Sequence, residues 1–286
     1  MRRLILCNCG SGKDQVICCG PIPQVKVSSL PINSEQERKE ILQNIQIISQ
    51  FNMMYRGLLE YYGKDFIAYK REKPRDQNRN EFLRIISKFM SFYLEDTCPT
   101  SWEDCQPSFW EELMITIFPL HMHVTPQKKE VKKFLHELKK FVRWLDKRAR
   151  TSWSLTIENH INKYHAELKM CEVLLNTHFL LHFPQIHKSD DWDPLQNIKK
   201  IEEDSSEFNE TINGIFKIRS RNENTTVLTD ISDDRDFYVI GLDCNEAMEG
   251  ILLDCSIGKI DSEMYWHWLF TEGVYPGNAS KYISFD

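Results

Sequence analysis

The sequence contains no apolar run that approaches the roughly 18 residues of a membrane-spanning helix. It begins with MRRLILC, in which two arginines are followed by only three apolar residues before the first cysteine. A secretory signal needs an apolar stretch of roughly 7–15 residues, and a lipoprotein signal also needs a small residue just before the cysteine. The sequence therefore favours a cytoplasmic protein without a membrane span.

Recognisable catalytic motifs are absent as well. The sequence has no zinc-protease helix motif, no nucleophile elbow and no dinucleotide-binding fingerprint. His121 and His123 form a His-x-His pair, but no acidic residue follows them at metal-ligand spacing. One candidate metal group combines two histidines on a shared helix face with the acids that follow them: His178, His182, Asp190 and Asp191. These absences favour a binding protein over an enzyme.

An excess of positive charge is also lacking. The 286 residues include 36 Lys and Arg against 42 Asp and Glu, which gives a net charge of −6. A negative net charge does not favour nucleic-acid binding by the whole surface, although one basic face can still bind a polyanion. With 41% hydrophobic residues, the chain has enough apolar side chains for a sizeable core without disulfide bonds.

Four of the nine cysteines, by contrast, stand close together in the segment CNCGSGKDQVICCG. Their spacing is Cys-x-Cys, eight residues, then Cys-Cys, and the glycines of the intervening GSG allow a tight turn that brings the two pairs together. Four thiolates complete the tetrahedral coordination of a structural zinc. Because close cysteines in a reducing compartment indicate metal more often than a disulfide, we expect zinc to be bound by Cys7, Cys9, Cys18 and Cys19.

The alternative interpretation of this segment is a phosphate-binding loop, because it contains GSGK. That motif requires a glycine where Cys7 stands and a serine or threonine where Asp14 stands. It also requires a preceding strand, for which the residues before Cys7 leave little room. The metal interpretation is therefore favoured.

The segment resembles the SEC-C motif, a small zinc-binding unit found at the C-terminus of the SecA translocase and in many bacterial proteins. Residues 7–13 (CNCGSGK) and the later CCG match the family pattern, whereas DQVI at 14–17 replaces the basic and aromatic residues that are usual there. The resemblance covers about residues 5–21 and implies that the four cysteines bind zinc. In SecA the basic and aromatic surface meets partner proteins, and in this chain the DQVI sequence replaces it.

Residues 34–188 show apolar side chains at helical spacing and predict a mainly helical domain, after a linker at 22–33. Ser34 and Glu37 form a capping box for the first helix, which we expect to end at Gly63. A later helix is expected to have Thr125 as its cap and Pro126 at its first position.

That later helix has one strongly basic face. Between Lys128 and Arg150 ten Lys and Arg stand against three acids, a local balance of +7. Lys132, Lys139 and Arg143 are the candidate polyanion-binding residues, and the candidate ligands are a nucleic acid, the ribosome or an acidic partner. No aromatic residues are interleaved on that face for base stacking. The alternative is a solvated face that pairs with the acidic C-terminal part of the chain.

Residues 189–286 carry 21 acids against 8 bases and alternate short apolar runs with polar breaks. Five strands are expected, around Ile215–Ile218, Val227–Leu228, Phe237–Ile240, GILLDCSIGKI and MYWHWLF. They predict a small β domain that is an antiparallel sheet or barrel. The expected class is thus α+β, with an N-terminal zinc knuckle at 1–21, a helical middle and this β domain.

Three functions are consistent with this organisation. The leading hypothesis is a non-catalytic adaptor or regulator in a bacterial cytoplasm, which binds zinc and contacts a protein partner through the SEC-C-like unit. The second is a ribosome or nucleic-acid binder that acts through the basic helix at 128–150. The third is an enzyme with a site between the helical and β domains, using acids such as Asp233, Asp234 or Asp236.

Overall fold

The computed structural model describes residues 32–95, 97–188, 194–222, 224–244 and 248–283. The predicted zinc unit at 1–21, and the linker up to residue 31, lie outside these ranges. The chain divides into two compact units, Met1–Gln43 and Asn44–Asp286. Both the helical region from Asn44 onward and the strands belong to the second unit.

The chain is α+β, with helices followed by a sheet in its C-terminal region. The longer helices are α1 Glu35–Ser49, α2 Tyr61–Glu72, α3 Gln77–Lys88, α4 Pro107–Glu112, α5 Glu130–Ala149, α6 Ser154–His182 and α7 Pro194–Ser206. Helices α3 and α4 continue into π-helical turns at Phe89–Tyr93 and Leu113–Ile117, and a three-residue helix, Phe118–Leu120, follows the second of these turns. The sequence did not predict α7, which lies in the acidic stretch before the first strand.

The capping box predicted for α1 is present. The backbone N–H of Glu37 donates to Ser34 Oγ at 3.1 Å, and the backbone N–H of Asn33 donates to Glu37 Oε2 at 2.8 Å. These reciprocal bonds satisfy two of the amide groups that a helix N-terminus leaves unpaired.

The expectation that the first helix runs to Gly63 is wrong. Helix α1 ends at Ser49, a 3-10 turn follows at Tyr55–Leu58, and Gly63 lies in the first turn of α2. A Cβ atom at Gly63 would lie 1.8 Å from the carbonyl oxygen of Gly57. Glycine is therefore required at 63 because the 3-10 turn lies directly against it, rather than because a helix ends there.

Helix α5 carries the predicted apolar stripe, whose members are all buried: Val131, Phe134, Leu135, Leu138, Phe141, Val142 and Leu145. Each such burial contributes about 1.5–3 kcal/mol, so packing determines which face points inward. The predicted start, however, is wrong, because Thr125 and Pro126 lie in a turn and α5 begins at Glu130.

A distant carboxylate caps α5 in place of Thr125. Oε1 of Glu172, on α6, accepts hydrogen bonds from the backbone N–H groups of Glu130 and Val131. The backbone N–H of Thr125 itself donates to Asn176 Oδ1 at 3.0 Å. The N-terminus of α5 is thus fixed by α6, and its exposed basic face is held in a defined orientation.

The strands form a closed barrel in the order β1-β2-β3-β5-β4. Their bounds are β1 Glu210–Asn222, β2 Thr225–Asp230, β3 Asp236–Ile240, β4 Leu252–Lys259 and β5 Trp266–Tyr275. The long β1 pairs with β4 through its first half and with β2 through its second, and its register shifts between Ile218 and Ser220. Such a bulge bends a strand and lets it turn from one partner to the other.

The prediction of an antiparallel β domain is right for four strand pairs and wrong for one. Strands β3 and β5 are parallel, with Val239 opposite Trp266 and Ile240 opposite His267. Strand directions cannot alternate all the way around a closed ring of five, so at least one neighbouring pair must run parallel. Closure of the barrel therefore accounts for the mixed sheet.

Candidate anion-binding groove and adjoining recess

The larger of two adjoining cavities, which we call the basic groove, has a volume of about 480 Å³. Its walls come from one face of α5, the first turn of α3 and the side of α6. It is lined by Asn78, Lys129, Lys132, Lys133, Leu135, His136, Lys139, Ile161 and His165. Four ammonium groups and two imidazoles around one space favour an anionic ligand.

Three lysines of the basic groove, Lys129, Lys132 and Lys139, have no ion-pair partner within the part of the chain that the structure describes. Lys133 differs, because its Nζ lies 2.7 Å from Glu130 Oε1. Lys129 immediately precedes α5 and Lys132 lies in its first turn, where positive charges repel each other and oppose the helix dipole. A bound anion would relieve this repulsion.

Several other basic residues of α5 are paired with acids of the helical region, whereas Lys147 has no ion pair among the described residues. Lys140 pairs with Glu137 on the same helix at 2.6 Å, and Arg148 Nε lies 2.6 Å from Asp65 Oδ1. Among the described residues, no ion pair joins α5 to residues 194–283. The described part of the acidic C-terminal region therefore does not neutralise this face through ion pairs.

Arg143, the third candidate polyanion-binding residue, does not line the basic groove. Its Nη2 lies 3.0 Å from Glu158 Oε1 on α6. Lys132 and Lys139 do line the groove, together with Lys129 and Lys133. The structure thus brings two of the three predicted residues together.

The smaller cavity, which we call the recess, has a volume of about 270 Å³ and shares Asn78 and Lys133 with the basic groove. Its buried apolar wall comes from Phe82, Ile85, Phe118, Met122 and Phe134. Its polar lining consists of Gln77, Asn78, Glu81, His121, His123, Glu130 and Lys133.

A charged cluster fixes the rim of the recess. Glu81 Oε1 lies 3.1 Å from His123 Nε2, and Arg84 donates to both carboxylate oxygens of Glu81, at 2.5 and 3.0 Å. Burial raises the pKa of Glu81, but the hydrogen bonds from His123 and Arg84 outweigh it and bring the pKa to about 2. The bond to Glu81 in turn raises the pKa of His123 above its usual value.

The second histidine of the recess has the opposite protonation behaviour. Burial lowers the pKa of His121 to about 4, and the positive charges of Lys88 and Arg84 act in the same direction. Its Nε2 lies 3.3 Å from the hydroxyl of Tyr93. His121 therefore presents a neutral imidazole at pH 7, two residues from one that is readily protonated.

The acidic partner of His123 lies far from it in the chain, so the spacing of residues around the His-x-His pair does not indicate it. The partner is Glu81 on α3, 42 residues before His123. Neither helical periodicity nor motif spacing indicates such a contact, since it depends on how α3 packs against the loop before α5.

The candidate metal pair His178 and His182 is not assembled as a metal site. His178 is buried, with its Nδ1 3.0 Å from Thr271 Oγ1 and its Nε2 2.8 Å from the carbonyl oxygen of Asp243. Both ring nitrogens are thus used to join α6 to the barrel. Asp190 and Asp191 lie outside the described residues. In the described part of the chain, no three His, Cys, Asp or Glu side chains form a metal site.

The acids proposed for an enzymatic site lie in and beside the β2–β3 turn. Asp233 Oδ1 accepts from the backbone N–H of Arg235 at 3.0 Å. Asp236 accepts from Thr229 at 2.6 Å and pairs with Arg219, and Asp234 has a positive φ of 58°. These contacts are those of a turn, and none of these acids lines the basic groove or the recess.

No family model, curated protein or solved structure matches the chain. Within the described residues no helix has the length and apolarity to cross a membrane. Cys7, Cys9, Cys18 and Cys19 lie outside the described residues. Of the other five cysteines, Cys105, Cys171, Cys244 and Cys255 are buried and Cys98 is half-buried, and none forms a disulfide.

Proposed function

We propose that this chain is a binding protein that holds a polyanion, such as ribosomal or other RNA, in its basic groove. The observation that carries this proposal is the cluster of Lys129, Lys132 and Lys139, which lines one cavity with no acidic partner among the described residues. Ammonium groups that release counterions on contact with phosphates supply most of the affinity of a sequence-independent polyanion binder.

The arrangement suits a ligand that is held mainly by its charge. Lysine presents a compact charge on a flexible stem and binds phosphate as a point charge, without a fixed orientation. His136 and His165 add donors at the groove. The test is the salt dependence of RNA binding by variants in which charges inside and outside the groove are reversed.

We also propose, from the sequence alone, that Cys7, Cys9, Cys18 and Cys19 hold a structural zinc in a SEC-C-like unit that contacts a partner protein. Four thiolates leave no coordination position for water or substrate, so such a centre is not catalytic. Under this proposal the chain acts as an adaptor in a bacterial cytoplasm, with zinc as its cofactor. Elemental analysis of the full chain tests the metal directly.

A further inference from the structure

The basic groove and the recess lie next to each other and differ chemically, and together we call them the cleft. Asn78 and Lys133 line both cavities. The groove is rich in lysine, whereas the recess has an apolar wall and a polar rim. A ligand that spans both needs an anionic part and, next to it, a flat and mostly apolar part with polar edges.

The wall of the recess is aromatic. Phe118 and Phe134 stack with ring centroids 4.1 Å apart, and Phe82 lies 5.8 Å from Phe134. The half-buried imidazole of His121 adds a neutral ring. The phenylalanine rings are almost fully buried, so the accessible stacking surface is the imidazole of His121. Planar bases stack on histidine as they do on other aromatic side chains.

The rim of the recess supplies hydrogen-bonding groups that match a base edge. The exposed amides of Gln77 and Asn78 each offer donors and an acceptor. The cavity volume of about 270 Å³ lies just below the roughly 300–1,000 Å³ of sites for drug-sized ligands. The recess therefore has room for one ring system but not for a folded segment of a polypeptide or nucleic acid.

The two carboxylates of the recess do not repel an anionic ligand strongly, because each is paired. Glu81 is bonded to Arg84 and His123, and Glu130 to Lys133. The phosphates of a ligand would meet the unpaired lysines of the groove. Charge thus favours one orientation, with phosphates in the groove and an uncharged ring in the recess.

We propose that the cleft binds single-stranded nucleic acid, with one unpaired base in the recess and the neighbouring phosphates on Lys129, Lys132 and Lys139. This inference rests on the proposed polyanion binding and narrows its ligand class. A duplex keeps its bases paired and stacked, so it can use the lysines but cannot fill the recess.

The test compares the binding of the full chain to four probes: single-stranded RNA, single-stranded DNA of the same sequence, the DNA duplex, and inorganic polyphosphate of matched charge. We expect the single strands to bind about tenfold more tightly than polyphosphate or duplex, as one base–aromatic stack would provide. RNA that is much tighter than DNA would identify the 2′-hydroxyl as a further contact.

Variants of the recess distinguish the binding of a base from the binding of phosphates by the lysines. Gln77→Ala and His121→Ala should remove the preference for single strands and leave polyphosphate affinity unchanged, whereas Gln46→Ala on α1 is a matched control. Thermal unfolding shows whether each variant is folded. Polyphosphate binding shows whether its basic groove is intact. A 2-aminopurine base in the strand should change its fluorescence on binding to the unaltered chain but not to the His121 variant.

Equal affinity for all four probes, with no effect of the recess variants, would overturn the base-binding inference and leave polyanion binding intact. If the unaltered chain bound none of the four probes, polyphosphate included, the proposed function itself would be contradicted. The two failures are therefore distinguishable in one set of measurements.

Discussion

His123 Nε2 lies 3.1 Å from Glu81 Oε1, and this contact joins the loop before α5 to α3 at the rim of the recess. Burial acts to raise the pKa of this carboxyl group, but the hydrogen bonds from His123 and Arg84 outweigh that effect. Its pKa therefore falls from 4.5 to about 2. The pKa of His123 is raised from 6.5 by the same bond. The contact therefore couples two groups whose pKa values move in opposite directions.

The signs of these shifts define a pH window. A carboxyl with a lowered pKa stabilises the fold above pH 4.5 and loses this contribution as the pH falls toward 2. A histidine with a raised pKa stabilises it below pH 6.5 and loses the contribution as the pH rises through the folded value. The pair is therefore most stabilising between about pH 4.5 and 6.5.

We predict that nuclear magnetic resonance titration will find His123 titrating above 6.5 and His121 near pH 4. Glu81→Gln should lower the pKa of His123 toward its usual value, because the hydrogen bond and the charge are both weakened. Glu95→Gln, at an exposed ion pair with Arg56, is the control and should leave it unchanged. An unaltered His123 titration in the Glu81 variant would show that the contact is not formed in solution.

The second prediction concerns Gly63. Gly63→Ala places a Cβ against the carbonyl oxygen of Gly57, and a backbone atom cannot move aside as a flexible side chain can. We expect a loss of about 1–3 kcal/mol or more in the free energy of unfolding, the usual effect of overpacking. Lys64→Ala, at the next and exposed position of α2, should change it by less than about 0.5 kcal/mol. Denaturant unfolding measures both, and equal stability of the two variants would contradict the close approach.

Apolar periodicity predicted the helical region and all five strands because burial selects those patterns directly, but it did not separate α1 from α2 and it missed α7. The seven apolar residues of α5 are an example, since each is in the core. Contacts between distant residues were not predictable in this way. The start of α5 depends on Glu172, and the parallel β3–β5 pair depends on closure of the barrel. The recess was missed for the same reason, because Glu81 and His123 meet only after α3 has packed.

The third prediction concerns zinc. Anaerobically purified chain should contain one zinc, and Cys18→Ser should lower its zinc content, since the site requires four thiolates. Cys98→Ser is the matched control, because Cys98 lies far from the cysteine segment in sequence, and it should keep the metal. Elemental analysis that finds no zinc in the unaltered chain would rule the site out.

Removal of the metal should leave most of the fold in place. The unit from Asn44 onward has its own buried core, which extends from Ile48 to Ala279. Deletion of residues 1–21 should therefore give a soluble protein with a cooperative unfolding transition. An insoluble remainder would mean that the cysteine segment is part of the core.

The central claim is that the lysines of the basic groove bind phosphate. We compare two charge-matched variants, Lys132→Glu/Lys139→Glu inside the groove and Arg143→Glu/Lys147→Glu outside it, by the salt dependence of single-stranded RNA binding. Each phosphate contact contributes about −0.7 to the slope of log K against log salt, so loss of two contacts should reduce the slope by about 1.4. The account predicts this change, with at least a tenfold loss of affinity at low salt, for the first variant only. Equal effects of both variants, or no effect of either, would contradict it.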